Sequence, residues 1–349
     1  MLPALHGDAL WIEYGEATAP RCVLIDGGPS SKVTAEALRR RLKDRVVDLG
    51  GVLELMVVTH IDADHITGIL GLLEDTEVSI DPGDVWFNGW EHLPTDVLGA
   101  KQAENLSSQI LRRKLPWNEA FGGKAAAIPD KGKLPEVILP GGLKLTLLSP
   151  GRQQLAELRP VWEDEVKAAG LVPGFGVEEP PPQPDVLGDD KLDPEALAEE
   201  RFEEDDSEAN GASIALVAEF DGRSVVLTGD AHGGVLAAGL RRLSEQGGSD
   251  RVSVDAFKVP HHASRFNLSR EVLDLLDCDR FLISTNGNIF HHPDTVALSR
   301  IVVDDDDRSL EFNYRSDFTE RWDSSRMRRR FSYTTVFPSA GGGGLVVDL

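Results

Sequence analysis

The sequence predicts an α/β fold, on three observations. Short aliphatic and β-branched runs alternate with segments of helical spacing, and the composition, 41% apolar and 27% charged residues, is that of an ordinary globular protein. The order strand, helix, strand places helices on the faces of a sheet. At 349 residues the chain is long enough to bury a sizeable core, and none of its apolar runs approaches the length of a membrane span.

The individual elements follow along the chain. CVLIDGG predicts a buried strand that ends in a turn, and TAEALRRRLKDR has helical spacing. LELMVVT predicts a second strand, HITGILGLLED a second helix, and DVWFNG and LKLTLLSP further strands. After residue 211 four more strand candidates appear, namely ASIALVAEF, RSVVLTGD, SVDAFKVPHH and RFLISTNG.

The segment from about 151 to 210 differs from the rest of the chain. It carries 18 acidic and 5 basic residues, is rich in proline and has few large apolar side chains. Such a segment buries too little surface to offset its ordering entropy, so we expect an inserted, largely mobile excursion with one short helix in PEALAEERFEE. We interpret the chain as one domain, 1–349, with this acidic insert, a candidate surface for a protein partner, and a C-terminal extension at about 301–349.

Charge and cysteine content narrow the classes of function. The net charge is −23, which would repel the phosphates of nucleic acid at long range and disfavours sequence-independent duplex binding. Two cysteines, Cys22 and Cys278, are too few for a disulfide framework. The N-terminal residues lack the pattern of a signal peptide. We therefore expect a cytoplasmic protein with no membrane partner.

The stretch THIDADH crowds four ionisable side chains against the end of a buried strand: His60, Asp62, Asp64 and His65. Imidazole and carboxylate groups are ligands for zinc, manganese and iron, and a bound ion would offset the cost of burying them together. The alternative is a helix start at which Asp62 or Asp64 caps the helix and the histidines are incidental.

Other predicted strands also end in polar groups suited to metal chemistry. These groups are Asp26 in LIDGG, Asp230 in VLTGD, His261, His262 and Ser264 in KVPHHAS, and His291 and His292 in IFHHPD. One such residue at a strand end is usually a turn former. A succession of them strengthens the prediction of a metal centre.

These motifs, in this order, resemble those of the metallo-β-lactamase-fold metal-dependent hydrolases. More narrowly, THIDADH, LTGD, PHHAS and HHP resemble the soluble hydrolase domain of ComEC-type competence proteins and their stand-alone relatives, over about residues 8 to 300. The resemblance implies a four-layer αββα sandwich with the site along one edge of its paired sheets. It also implies two divalent ions, zinc or manganese, whose activated water attacks the substrate.

Carried over position by position, the resemblance implies a role for each group. His60 and Asp62 would bind one metal, Asp64 and His65 the other, with Asp230 bridging and His292 completing the second site. Asp64, His261, His262 and Ser264 would form the catalytic group, with Asp26, Asn210 and His291 in support.

The sequence departs from the family pattern at three places. The histidine expected before TGD is missing, and Asn210 and Ser213 stand near that position. Ala263 replaces a glycine, and His291 beside His292 leaves the ligand ambiguous. The first site is rich in oxygen ligands, which favours manganese or occupancy by a single metal.

Three functions stay open from the sequence. The first is a hydrolase of phosphodiesters, including a nuclease that acts on single-stranded nucleic acid. The second is a hydrolase of a small phosphate ester or cyclic nucleotide, with Trp86 and Trp90 either walling its pocket or lying in the core. The third is a metal-binding interaction module without catalysis.

Overall fold

The computed structural model describes residues 1–93, 101–168, 192–339 and 343–349, and the side chains of 101–102 and 161–168 are left out of the description. Within these residues the first sheet has the strand order β1-β2-β3-β4. Its strands are β1 (Leu10–Tyr14), β2 (Arg21–Ile25), β3 (Val52–Val57) and β4 (Val85–Trp86). β1 is antiparallel to β2, whereas β2, β3 and β4 are parallel to one another.

The second sheet is larger and has the order β14-β13-β12-β10-β8-β7-β6-β5 in the described residues. Its strands are β5 (Glu136–Ile138), β6 (Lys144–Ser149), β7 (Ala215–Phe220), β8 (Arg223–Leu227), β10 (Ala256–Lys258), β12 (Arg280–Ile283), β13 (Ser309–Phe312) and β14 (Thr334–Val336). From β8 to β14 the neighbours are parallel. The short strands β9 (Val252–Ser253) and β11 (Leu276–Asp277) pair separately.

The helices of the described residues lie between these strands in the chain. They are α1 (Lys32–Leu42), α2 (Ala63–Glu74), α3 (Lys101–Arg113), α4 (Arg152–Ala168), α5 (Pro194–Ala198), α6 (Glu208–Gly211), α7 (Gly233–Gly247), α8 (Arg270–Asp274), α9 (Thr295–Asp304), α10 (Asp317–Glu320) and α11 (Ser325–Arg330). Across the described ranges, no helix combines the length and apolarity needed to cross a membrane.

Alternation along the strands separates the core into layers. On β2, Cys22 and Leu24 pack with the helix residues of α1, α2 and α3, whereas Val23 and Ile25 pack against the second sheet. On β12, Leu282 faces the space between the sheets, and Phe281 packs on the opposite side with residues of α7, α8 and α9. Because successive side chains point to opposite faces of a strand, the layers run helix, sheet, sheet, helix.

This architecture confirms the predicted α/β fold and the four-layer αββα sandwich that the resemblance implies. The predicted strands and helices occur, and both cysteines are buried and free. Trp86 is fully buried in the core between the sheets, which supports the core reading for this residue, whereas Trp90 is only partly buried.

Part of the predicted acidic insert lies outside the described residues, at 169–191. The preceding residues form α4, and α5 occurs within the predicted short helix. Residues in the range 192–210 contact α7 and α8. Arg270 of α8 pairs with Glu199 at 2.8 Å, and the Gly234 N–H of α7 donates to Glu204 at 2.7 Å. These contacts connect the described part of the insert to α7 and α8, and the division of the chain into domain, insert and extension stays a prediction.

Candidate metal centre

The polar residues predicted from the sequence come together where parallel strands of both sheets end. His60 follows β3, Asp26 follows β2 and Asp230 follows β8. Because the carboxyl ends of parallel strands meet at one edge of a sheet, side chains that follow them meet as well. The two sheets bring their edges together, so the candidate site draws residues from both.

Asp230 is the centre of the arrangement. Its Oδ2 atom has the Nε2 atoms of four histidines around it: His60 at 3.8 Å, His65 at 3.2 Å, His261 at 3.8 Å and His262 at 3.7 Å. The backbone N–H of Asp230 donates to Ser213 Oγ at 3.2 Å, so Ser213, which stands near the missing family histidine, holds the loop that carries Asp230.

The orientation of the His65 imidazole is set by a hydrogen bond at Nδ1, and its Nε2 has no hydrogen-bond partner among the described residues. The Nδ1 atom lies 2.8 Å from Asp26 Oδ2, and Asp26 also accepts from the backbone and hydroxyl of Thr59 at 2.8 and 2.7 Å. Since the Thr59 hydroxyl donates to Asp26, it accepts from His60 Nδ1 at 3.0 Å. Asp26 thus orients two of the four imidazoles, His65 directly and His60 through the Thr59 hydroxyl.

The other two histidines, His261 and His262, also have an oxygen acceptor at Nδ1. His262 Nδ1 lies 2.8 Å from the backbone oxygen of Ser284, and His261 Nδ1 lies 2.9 Å from Asn267 Oδ1. A hydrogen bond from Nδ1 to an oxygen assigns the proton to that nitrogen and presents Nε2 to the centre. His261, His262 and Ala263 have positive φ angles of 46°, 53° and 67°, so both histidine side chains leave a turn with left-handed backbone.

The two aspartates of THIDADH lie on different sides of the cluster. Asp64 Oδ2 is 3.4 Å from His262 Nε2 and 3.9 Å from His65 Nε2, and Asp62 Oδ2 is 3.6 Å from His60 Nε2. Among the described residues, two groups have ligand atoms close enough to share an ion: His60, His65 and Asp230, and Asp64, His65 and His262. His262 stands beside Asp64 in the second group, where the resemblance implied His292.

The atoms of this cluster fit a divalent cation. His60 Nε2, His65 Nε2, His262 Nε2 and Asp230 Oδ1 are buried and have no hydrogen-bond partner among the described residues. Buried polar atoms without a partner are costly, and imidazole nitrogens and carboxylate oxygens are ligands for zinc, manganese and iron. Metal binding would satisfy these atoms together.

The carboxylates of the cluster raise the pKa values of two histidines, as expected of a site that attracts positive charge. Burial by itself would lower the pKa of His262, but Asp230, Asp8 and Asp64 outweigh burial and raise the pKa to about 10. Burial likewise opposes the charged form of His65, yet Asp230, Asp26 and Asp64 hold the pKa of His65 well above its usual value. Without a metal, the protonated imidazoles balance the negative charge of the buried carboxylates.

His292 and His291 are separated by the structure. The His292 ring packs edge-on against His261, with centroids 5.4 Å apart, and its Nδ1 lies 3.6 Å from Asp294 Oδ1. His291 instead stacks on Phe318. His292 therefore borders the cluster but belongs to neither ligand group, and its part as a ligand stays a prediction.

Two further predicted residues shape the loops around the cluster. Ser264 is buried, and its hydroxyl accepts from the backbone N–H of Phe266 at 3.2 Å, so it stabilises the turn after the two histidines. Asn210 donates to Asp205 Oδ2 at 2.7 Å and lies 3.4 Å from His261 Nδ1.

Sequence reasoning missed a buried ion pair behind His262. Lys258 Nζ lies 2.8 Å from Asp8 Oδ2, both side chains are fully buried, and Asp8 Oδ1 is 3.5 Å from His262 Nδ1. The N-terminal segment approaches so closely that a Cβ on Gly7 would fall 1.9 Å from the backbone oxygen of Asp64. The sequence offered one signal, a lysine within the apolar strand AFKV.

Comparison with known proteins adds little to this picture. No protein-family model and no curated protein matches the chain. Among solved structures, a mutant of CmlA β-hydroxylase matches with a TM-score of 0.37 and 13% sequence identity, over 96% of this chain and 52% of that one. This chain thus spans about half the length of that protein. A likeness at this level carries no inference about activity.

Proposed function

We propose that this protein is a metal-dependent hydrolase of phosphate esters, with phosphodiesters as its first substrates. The observation that carries the proposal is the convergence of four imidazole Nε2 atoms on Asp230 Oδ2, beside Asp64. A divalent ion bound there would activate a water and stabilise developing negative charge on a phosphoryl oxygen.

The residues of the cluster would have three roles: binding the metal, orienting its ligands and contacting the substrate. His60, His65, His262, Asp64 and Asp230 would hold the metal, and Asp26 would keep His60 and His65 oriented. His261 differs from the other three histidines, because its side chain is 23% exposed while theirs are fully buried. Solvent therefore reaches His261, and this imidazole would contact the substrate and assist the leaving group.

The charge around the site favours a small ester over nucleic acid. Glu203, Glu204, Asp206 and Glu208 are exposed and flank Asp205, whose side chain lies 3.2 Å from His261. Together with the net charge of −23, these carboxylates would repel a polyanion near the site. A small phosphate ester or cyclic nucleotide would avoid most of this repulsion, because a metal held by His60, His65 and Asp230 would supply a local positive field.

The test is turnover of bis-p-nitrophenyl phosphate, p-nitrophenyl phosphate and single-stranded DNA, each with added manganese or zinc. We expect diester turnover by the unmodified protein and none by the double variant Asp64→Ala, His65→Ala. Asp81→Ala, at an exposed position, is the matched control. Full activity in the double variant would refute the assignment.

The same assay separates the alternatives. A nuclease would cleave the DNA, and its DNA binding would weaken steeply as salt rises. Metal binding without turnover of any of the three substrates would favour the metal-binding interaction module.

A further inference from the structure

The acidic segment brings the carboxylate of Asp205 to the site, next to Asn210. Asp205 is held in place by its backbone N–H, which donates to the Phe266 oxygen at 3.0 Å, and by Oδ1, which accepts from the Ser207 N–H at 3.0 Å. Burial by itself would raise the pKa of this carboxyl, but His261 and the surrounding N–H donors outweigh burial and lower it. Asp205 is therefore a fixed, charged acceptor.

Its second oxygen is the centre of a small network. Asp205 Oδ2 accepts from Asn210 Nδ2 at 2.7 Å and from Asn267 Nδ2 at 2.9 Å, and it lies 3.2 Å from His261 Nδ1. Asn267 Nδ2 also lies 3.1 Å from the backbone oxygen of Asp230. These acceptors fix the amide of Asn267, so that its Oδ1 faces His261 Nδ1.

We propose that Asp205, together with Asn267, is the positioning pair for His261. The two oxygens accept from His261 Nδ1 and turn its Nε2 toward Asp230, whose Oδ2 lies 3.8 Å away. The arrangement parallels that of Asp26 and His65, in which a carboxylate fixes a buried imidazole. The acidic segment thereby completes the site. The role of His261 toward the substrate rests on the proposed function, whereas its orientation does not.

The test compares Asp205→Asn with Asp206→Asn, a matched control at the exposed neighbouring position. The first readout is the His261 Nδ1 proton in the NMR spectrum of the metal-free protein, assigned by its loss in His261→Gln. We expect a slowly exchanging downfield resonance in the unmodified protein and in Asp206→Asn, and fast exchange or loss in Asp205→Asn.

The second readout is kinetic. Because His261 belongs to neither ligand group, Asp205→Asn should leave metal stoichiometry and KM unchanged and lower kcat about 10- to 100-fold. Asn267→Ala is a second variant with the same expected direction, in case Asp205→Asn does not fold.

The outcomes separate this proposal from the proposed function. If both variants keep the resonance and the kcat of the unmodified protein, Asp205 and Asn267 do not position His261. If the unmodified protein hydrolyses none of the substrates but Asp205→Asn loses the resonance, the positioning stands and the proposed reaction fails.

Discussion

At the scale of single residues, the direction in which each imidazole points decides what the site can bind. Each of the four histidines around Asp230 has an oxygen acceptor at Nδ1, and three of these acceptors come from Thr59, Asn267 and the Ser284 carbonyl. The carboxylate nearest to an Nδ1 atom of these four is Asp26, 2.8 Å from His65, and Asp205 lies 3.2 Å from His261 Nδ1. Asp26 should therefore have the largest single effect on the orientation of the ligands.

We predict that Asp26→Asn weakens metal affinity about 10- to 100-fold, as loss of an outer partner of a metal-ligating histidine usually does. Asparagine tolerates the backbone of Asp26, which has φ of 57°, but its amide cannot accept all three of the hydrogen bonds that the carboxylate accepts. Calorimetric titration with zinc or manganese measures the change. Asp221→Asn is the control, since Asp221 also has positive φ but is exposed; equal affinities of the two variants would contradict the role of Asp26.

At the scale of elements, the N-terminal segment is joined to β10 by a buried charge pair. Asp8 and Lys258 pair at 2.8 Å with their side chains fully buried, and Asp8 lies behind His262. Removing one member leaves the other charged and without its partner in a site that water does not reach. The pair therefore couples the first residues of the chain to the loop that carries His261 and His262.

We expect Lys258→Met to lower the free energy of unfolding by about 3–5 kcal/mol, measured by denaturant titration. Adding Asp8→Asn should recover part of that loss, because no uncompensated charge stays buried. Lys144→Met, which breaks an exposed pair with Glu219, should cost only about 0–1 kcal/mol. A Lys258→Met variant as stable as Lys144→Met would show that the buried pair has no structural importance.

The elements and most of the site could be predicted from the sequence because the signal is local. Asp26 and His60 follow parallel strands of the first sheet, and Asp230 and His261 follow parallel strands of the second, so each pair lies at the carboxyl edge of its sheet. Asp8 and Asp205 could not be found in this way. Asp8 reaches the site through a turn before β1 in which the Leu2 N–H donates to the Ala9 oxygen at 2.8 Å, and Asp205 lies in a run of acids whose composition is that of a solvated loop.

At the scale of the whole molecule, the cluster links stability to pH when no metal is bound. The pKa of His262 is raised to about 10, since Asp230, Asp8 and Asp64 outweigh burial. A histidine whose folded pKa exceeds its unfolded value of about 6.5 stabilises the protein fully below pH 6.5. That contribution is lost as the pH rises from 6.5 toward 10, because the imidazolium then loses the proton that balances the carboxylates.

We predict that the melting temperature in a chelating buffer falls by about 5 °C or more between pH 7 and pH 10, since each kcal/mol moves the melting temperature of a large domain by about 2–4 °C. With saturating metal the fall should be much smaller, because the ion takes over the role of the protons. Thermal melts across this range, with and without metal, measure the effect. Parallel curves in both conditions would argue against a cation at this cluster.

The most direct test of the account is the metal content of the purified protein after incubation with manganese or zinc and removal of the free ion. Elemental analysis should find about two equivalents in the unmodified protein, or one if a single site is occupied. It should find almost none in Asp230→Asn, which removes the carboxylate on which the four histidines converge. Unmodified protein without metal, or a variant that binds as much as the unmodified protein, would contradict the claim that this sheet edge is a metal centre.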